Sequence, residues 1–122
     1  MIPKVMHVIW FGDNVPSYCR FAIRKYRELN PDFVVKTYFK TVDQIERIHK
    51  SSVLNEDDVL LKHCIDAILN LDTDYTAQVL KSKNTFKMDF IQVLADIFRL
   101  EVLNRYGGIY VDCDTYPLQP FS

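Results

Sequence analysis

Arg105-Tyr106-Gly107-Gly108-Ile109-Tyr110-Val111-Asp112-Cys113-Asp114-Thr115 is the stretch on which the reading of this chain turns. A helical pattern stops at a glycine pair. A short apolar strand comes next and delivers two carboxylates. Side chains of a strand alternate between its faces, so Asp112 and Asp114 are expected on one side with Tyr110 beside them. Paired carboxylates at a strand end suit a hard cation such as Mg²⁺ or Mn²⁺ and, through it, a diphosphate.

Outward from that stretch the chain alternates strands and helices. Val5 to Phe11 is an almost unbroken apolar run closed by Gly12-Asp13-Asn14, as in a buried parallel strand. Pro16-Ser17 signals a helix start, and Cys19, Ala22, Ile23, Tyr26 and Leu29 come after it at helical spacing. Asn30-Pro31 ends that helix. Phe33 to Phe39 reads as a second strand. Thr41-Val42-Asp43-Gln44 has the form of a capping box, with Val42, Ile45 and Ile48 turned inward. Residues 51 to 58 are polar and read as loop, and Leu61, Cys64, Ile65 and Ile68 mark another helix. The segment from Leu71 to Thr85 has no decisive pattern. A long helix is expected from about Lys87 to Tyr106, with Gly107 just past its end, and Ile109 to Val111 as the next strand. This order predicts an α/β fold with parallel strands. Ligands of open α/β sheets bind beyond the carboxyl ends of the strands, where Gly12-Asp13 and Asp112-Cys113-Asp114 lie.

The 122 residues, 48% hydrophobic and 25% charged, are the size and composition of one domain. A formal net charge of −1 argues against a nucleic-acid binder. The basic residues are scattered apart from Arg20, Arg24, Lys25 and Arg27 on the first helix. No run approaches the roughly 20 apolar residues of a membrane-spanning helix, and the Val5–Phe11 run is too short for a secretory leader. The three cysteines, Cys19, Cys64 and Cys113, are odd in number and widely spaced, which predicts free, packed thiols in a reducing compartment. Cys113 is expected on the face opposite the two acids. The expected location is cytoplasmic, at most peripheral at a membrane.

Three blocks, in order, make the chain resemble the DXD-containing sugar transferases of glycosyltransferase family 32. These include bacterial capsular-polysaccharide transferases and yeast-type alpha-mannosyltransferases; the large glucosylating toxins share the motifs more distantly. The blocks are Ile2 to Gly12, Ala95-Asp96-Ile97-Phe98-Arg99-Leu100 with Leu103, and Tyr106 to Asp114 running on to Pro117-Leu118. A D-x-D alone arises often by chance; three ordered blocks do not. The resemblance implies the N-terminal part of a Rossmann-like GT-A fold, with residues 1–122 as one incomplete donor-binding domain. It implies Mn²⁺- or Mg²⁺-dependent transfer of a hexose from a UDP- or GDP-sugar to a glycan, lipid-linked saccharide or other hydroxyl acceptor, with retention. Asp112 and Asp114 would be the catalytic and metal-binding pair. Trp10 would lie at the nucleotide base, Asp96 and Arg99 at the donor sugar and phosphates, and Tyr110 near the diphosphate. Family members continue well beyond this motif, whereas eight residues come after Asp114, so the expectation is a fragment or truncated product.

Plainer readings stand beside these. Asp112 and Asp114 also suit a solvated turn, and Trp10 a packed core. Asp96 and Arg99, spaced to meet on one helix face, also suit an ordinary ion pair. His7 reads as a hydrogen-bonded strand histidine. Asp72-Thr73-Asp74 is a second D-x-D without a preceding strand and reads as a helix cap. An apolar strand ending D-x-D-x-T also fits a haloacid-dehalogenase-type phosphatase, with Asp112 as nucleophile, but that motif needs catalytic residues downstream. A non-catalytic nucleotide-sugar-binding remnant is the other alternative. An uncovered edge at Ile109–Val111 would favour self-association.

Overall fold

Seven residues with apolar side chains on both faces, Val5–Phe11, form β1, the central strand of the sheet. A computed structural model of the chain describes residues 2–71, 88–115 and 117–119. Asp72-Thr73-Asp74 lies outside the described residues. β1 pairs in parallel with β2 (Val34–Lys40), from Val5 opposite Val34 to Phe11 opposite Lys40. On its other side it pairs in parallel with β3 (Ile109–Tyr110), His7 facing Tyr110. The order β2-β1-β3 is the expected parallel α/β layout. Among the described residues β3 pairs on one side only.

Local chemistry sets the helix boundaries. α1 (Ser17–Leu29) starts after Pro16 and ends at Asn30, whose backbone N–H and side-chain amide both donate to the Tyr26 carbonyl, at 3.0 and 3.1 Å. α2 (Val42–Lys50) carries the full capping box: Thr41 Oγ1 accepts from the Gln44 N–H at 3.2 Å, and Gln44 Oε1 accepts from the Thr41 N–H at 2.8 Å. α3 (Glu56–Leu71) begins within the stretch expected to be loop. Asn55 accepts the Asp58 N–H at 2.9 Å, and three acids in the first turn complement the helix dipole. A polar segment was therefore a helix start. α4 (Met88–Tyr106) ends at Gly107, which has φ +69° and donates its N–H to the Leu103 carbonyl at 2.9 Å.

Two cores flank the sheet. Met6, Val8, Ile109 and Val111 meet Cys19, Ala22, Ile23 and Tyr26 of α1 on one face. Ile9, Phe11 and Tyr38 meet Ile45 and Ile48 of α2, Leu61, Ile65 and Ile68 of α3, and Phe90, Leu94 and Phe98 of α4 on the other. Each buried Val, Leu, Ile, Phe or Met side chain among them contributes about 1.5–3 kcal/mol by leaving water. No helix among the described residues is long and apolar enough to cross a membrane.

The cysteines correct the expectation of three free thiols. The structure joins Cys19 to Cys113, with a Cα–Cα distance of 4.6 Å, and leaves Cys64 free and buried. The partners are 94 residues apart, so no spacing rule reveals them; α1 packing on β1 and β3 brings them together. Cysteine usage therefore no longer argues for a reducing compartment. Both remain packed, as expected, and burial pushes the Cys64 thiol up to about 11.

His7 is fully buried and satisfied on both ring nitrogens. Nε2 lies 2.8 Å from the Gly107 carbonyl, which can only accept, so Nε2 carries the proton. Nδ1 accepts from the Tyr38 hydroxyl at 3.0 Å. One neutral imidazole thus joins β1 to β2 and to the turn before β3. Burial, the largest cause, lowers its pKa below 6.5, with the Gly107 bond opposing and Lys36 assisting. The unfolded chain therefore takes up the proton first. Stability from this group is complete above pH 6.5 and declines as pH falls below it. Denaturation midpoints at pH 7.5 and 5.5 should show His7→Gln, which cannot charge, losing less over that interval than wild type. An equal loss would remove His7 as the acid-sensitive group.

Candidate functional site

The carboxyl end of the sheet is built from the turns by which the chain leaves β1 and β3. Gly12 carries the chain off β1 with φ +148°, its N–H donating to the Lys40 carbonyl at 2.9 Å. A hollow of 530 Å³ lies here, bounded by Ile9 to Asn14 on one side and by Ile91, Gln92 and Ala95 of α4 on the other. Trp10 contributes to it while packing against the α1-side core, so it acts both as core and as site wall. Among the described residues its buried indole N–H meets no acceptor. A buried donor left in that state costs about 1–3 kcal/mol unless a ligand supplies the acceptor.

On the α4 face of β3, Tyr110 is the meeting point of the expected donor residues. The Arg99 guanidinium lies 5.1 Å from its ring centroid. The Tyr110 hydroxyl is pushed up to about 12, first by burial, then by the charge and hydrogen bond of Asp112. Arg99 opposes that shift and Asp96 adds to it. At neutral pH the phenol keeps its proton and donates toward the Asp112 carboxylate. Asp96 and Arg99 form no ion pair with each other among the described residues, contrary to the ordinary reading of their spacing; the Arg99 charge is spent on the strand instead.

Asp114 departs from the alternation argument. β3 ends at Tyr110, and residues 113–114 form a turn in which Thr115 donates to the Asp112 carbonyl through Oγ1 at 2.8 Å and through its N–H at 3.3 Å. Strand period stops governing direction once the ladder stops. Asp114 lines a second hollow with Tyr18 and Phe21 of α1, while Asp112 stays with Tyr110; both acids are exposed. Cys113 is buried against α1, as its position between the acids predicts.

The structure thus assembles Tyr110, Asp112, Asp96 and Arg99, places Trp10 across the sheet edge, and turns Asp114 toward α1. Sequence reasoning passed over Gln92 and Ala95, which line the larger hollow. They precede Asp96 and Arg99 by four residues each, so the helical period itself pointed to them. It also passed over Tyr18 and Phe21, which lie on the exposed side of α1.

The donor set suits a small hard cation. Mg²⁺-type ions are commonly held by one or two carboxylates, with waters and substrate phosphates completing the shell. Asp112 and Asp114 offer that number, both open to solvent. Among the described residues no group of three or more His, Cys, Asp or Glu side chains could enclose a cation by protein ligands alone.

A family model described as the glycosyltransferase sugar-binding region containing a DXD motif matches residues 16–122. The match includes the second and third sequence blocks and leaves Trp10 outside. No curated protein matches the chain. Among solved structures, the chain is similar to the ligand-free glycosyltransferase domain from the YGT toxin, at 14% identity and a TM-score of 0.33. That likeness covers 91% of this chain and 28% of the other, so this chain spans under a third of that structure's length.

Proposed function

The chain belongs to the family of glycosyltransferase sugar-binding regions containing a DXD motif, and from that premise we propose that it binds a nucleoside-diphosphate sugar and serves hexosyl transfer to a hydroxyl acceptor. The observation that carries this reading is the meeting of Arg99 with Tyr110, a ring that also feels Asp112 and Asp96. Two sequence blocks that resemble the family's donor-binding blocks converge on one side chain, at the end of a parallel strand where α/β folds bind ligands. The narrower placement, with family-32 transferases and a retaining outcome, rests on the sequence resemblance.

In this reading each residue has a separate task. The nucleoside occupies the hollow beside Trp10, and its polar atoms supply the acceptor that the indole N–H lacks. Arg99 faces the diphosphate, where a planar guanidinium binds phosphate oxygens in pairs. Tyr110, protonated at neutral pH, donates toward Asp112 and so steadies that carboxylate beside the departing diphosphate. Asp96, exposed on α4, accepts hydroxyl protons of the donor sugar. Asp112 and Asp114 would hold Mn²⁺ or Mg²⁺, which when bound supplies positive charge beside the leaving group. Fixed charge and dipoles aimed at a developing anion are the usual main source of such catalysis.

The test is a thermal shift series with UDP, GDP and their hexose conjugates, with and without Mn²⁺. One nucleotide should raise the melting temperature in a metal-dependent way, by the equivalent of about 2.7 kcal/mol at a hundredfold excess over Kd. A folded sample unmoved by all of these ligands would overturn donor binding by this chain.

A further inference from the structure

The outer face of α1 collects positive charge that the chain as a whole lacks. Cys19, Ala22, Ile23 and Tyr26 are buried against the sheet, so the apolar face of this helix is already used. Toward solvent stand Arg20, Arg24 and Arg27, a row at i, i+4 and i+7, with Tyr18 and Phe21 beside it. With Lys25, α1 holds four cations against one acid, Glu28, a net of +3 in a chain whose total is −1. Lys25 and Glu28 pair with each other at 3.8 Å. Among the described residues the three arginines form no ion pair.

Aromatic rings carry these cations instead. The Arg24 guanidinium lies 5.8 Å from the centroid of the Phe21 ring, and that of Arg20 lies 6.0 Å from the centroid of Phe39. Tyr18 and Phe21 are 52% and 58% exposed. Two acids border the first turns: Asp13 shares a hollow with Arg20, and Asp114 shares one with Tyr18 and Phe21. Attraction for an anion is therefore strongest farther along, at Arg24 and Arg27.

This combination selects a partner. Arginines without an internal acid bind phosphate oxygens, often two at a time. Rings that stand out among them gain by entering an interfacial layer. An anionic lipid surface offers both along the whole of α1, 13 residues and about 20 Å long. A single-stranded nucleic acid instead needs a basic groove that tracks its backbone. The hollow beside these rings is bordered by the Asp114 carboxylate, which does not provide one.

We propose that α1 docks the chain on a membrane rich in anionic phospholipid, with Arg20, Arg24 and Arg27 on headgroup phosphates and the Tyr18 and Phe21 rings in the headgroup layer. The helix docks without leaving the sheet. The Cys19–Cys113 bond and the hydrogen bond between Tyr26 Oη and Thr115 Oγ1 at 2.9 Å fasten it to the turn after β3. Docking stands apart from the donor reading, and one consequence rests on that reading. Because Tyr18 and Phe21 share a hollow with Asp114, a docked chain holds its strand-end acids on the side from which a lipid-linked hydroxyl acceptor arrives.

Co-sedimentation of the intact chain with sucrose-loaded vesicles tests the docking. The chain should pellet with an equal mixture of phosphatidylglycerol and phosphatidylcholine, stay in solution with phosphatidylcholine alone, and be released by added salt. Arg20→Gln/Arg24→Gln/Arg27→Gln should weaken binding about a hundredfold, and Phe21→Ala about tenfold. Arg47→Gln/Lys50→Gln, which removes two exposed cations from α2, should bind as wild type does. Circular dichroism melts check that the variants fold, as expected for exposed side chains. Absence of binding to the anionic vesicles, undiminished binding by either folded α1 variant, or an equal loss in the α2 variant overturns the docking face. Arginine-dependent binding of polyuridylate with none to vesicles also overturns it and makes the partner a nucleic acid. Vesicle binding without any nucleotide-induced shift of the melt supports docking and removes its link to the donor site. A nucleotide shift without vesicle binding overturns docking and leaves the donor reading in place.

Discussion

Gly108→Ala should lower the stability of the chain by about 2–5 kcal/mol, the combined scale of a strained backbone and an overpacked contact. Gly108 has φ +87°, a region that residues with a Cβ rarely adopt. A methyl group there would fall on the Val5 carbonyl oxygen and on Val5 Cγ1, with the Val5 carbonyl carbon at 3.1 Å. Those atoms belong to the start of the central strand, so relief requires β1 and β3 to part. Parting them also disturbs the His7–Gly107 bond and the approach of Tyr110 to Arg99. Against a typical total of about 5–15 kcal/mol, the loss shows as a large shift in the denaturant midpoint. Gly107→Ala is the internal comparison. Its φ of +69° is also left-handed, but the new methyl meets only the ring of exposed Pro3, at 2.9 Å, which can move aside. Its loss should be about 1–2 kcal/mol. Equal midpoints for Gly108→Ala and wild type would mean that the β1–β3 contact is not as described.

The second large effect is expected at Asp112. Asp112→Asn should weaken metal-dependent binding of the nucleotide sugar and lower turnover, where it is measurable, by about 10²–10³-fold in rate, as for other groups that stabilise a developing charge. The side chain is exposed, so the melting temperature without ligand should change little. A second readout needs no ligand. The Asp112 charge and hydrogen bond help hold the Tyr110 hydroxyl near 12, second only to burial. Replacing the carboxylate should therefore lower that titration, monitored by NMR of ring-labelled tyrosine. A lowered Tyr110 titration with unchanged nucleotide binding would leave the local geometry in place and falsify the donor role of Asp112. An unmoved titration would mean that Asp112 does not reach Tyr110.

Much of the layout was legible because local rules carried it. The Val5–Phe11 run has apolar side chains on both faces, which only a strand covered on both sides tolerates. Thr41 and Gln44 announced their reciprocal cap by type and spacing, and the structure contains both bonds. Gly107 ended α4 where a left-handed residue was needed. The start of α3 was missed because Asn55 caps without the fuller box pattern, and acids in a first turn resemble a polar loop in composition. The meeting of Arg99 with Tyr110 was not legible, since the same spacing equally predicts an Asp96–Arg99 pair. Which partner Arg99 takes depends on where β3 lies against α4.

By itself the sequence determined the element order, the parallel α/β class, and the residue types at the strand ends that mark the candidate site. Those arise from short-range physics: side-chain period, capping and backbone freedom act within a few residues. Tertiary structure alone decided that Cys19 meets Cys113, that Trp10 packs on the α1 face while Tyr110 packs on the α4 face, and that Asp114 lines a hollow with Tyr18 and Phe21. Each of those depends on the β2-β1-β3 register and on where the ladder of β3 stops. Both are set by burial summed over residues from opposite ends of the chain, and no local pattern carries that sum.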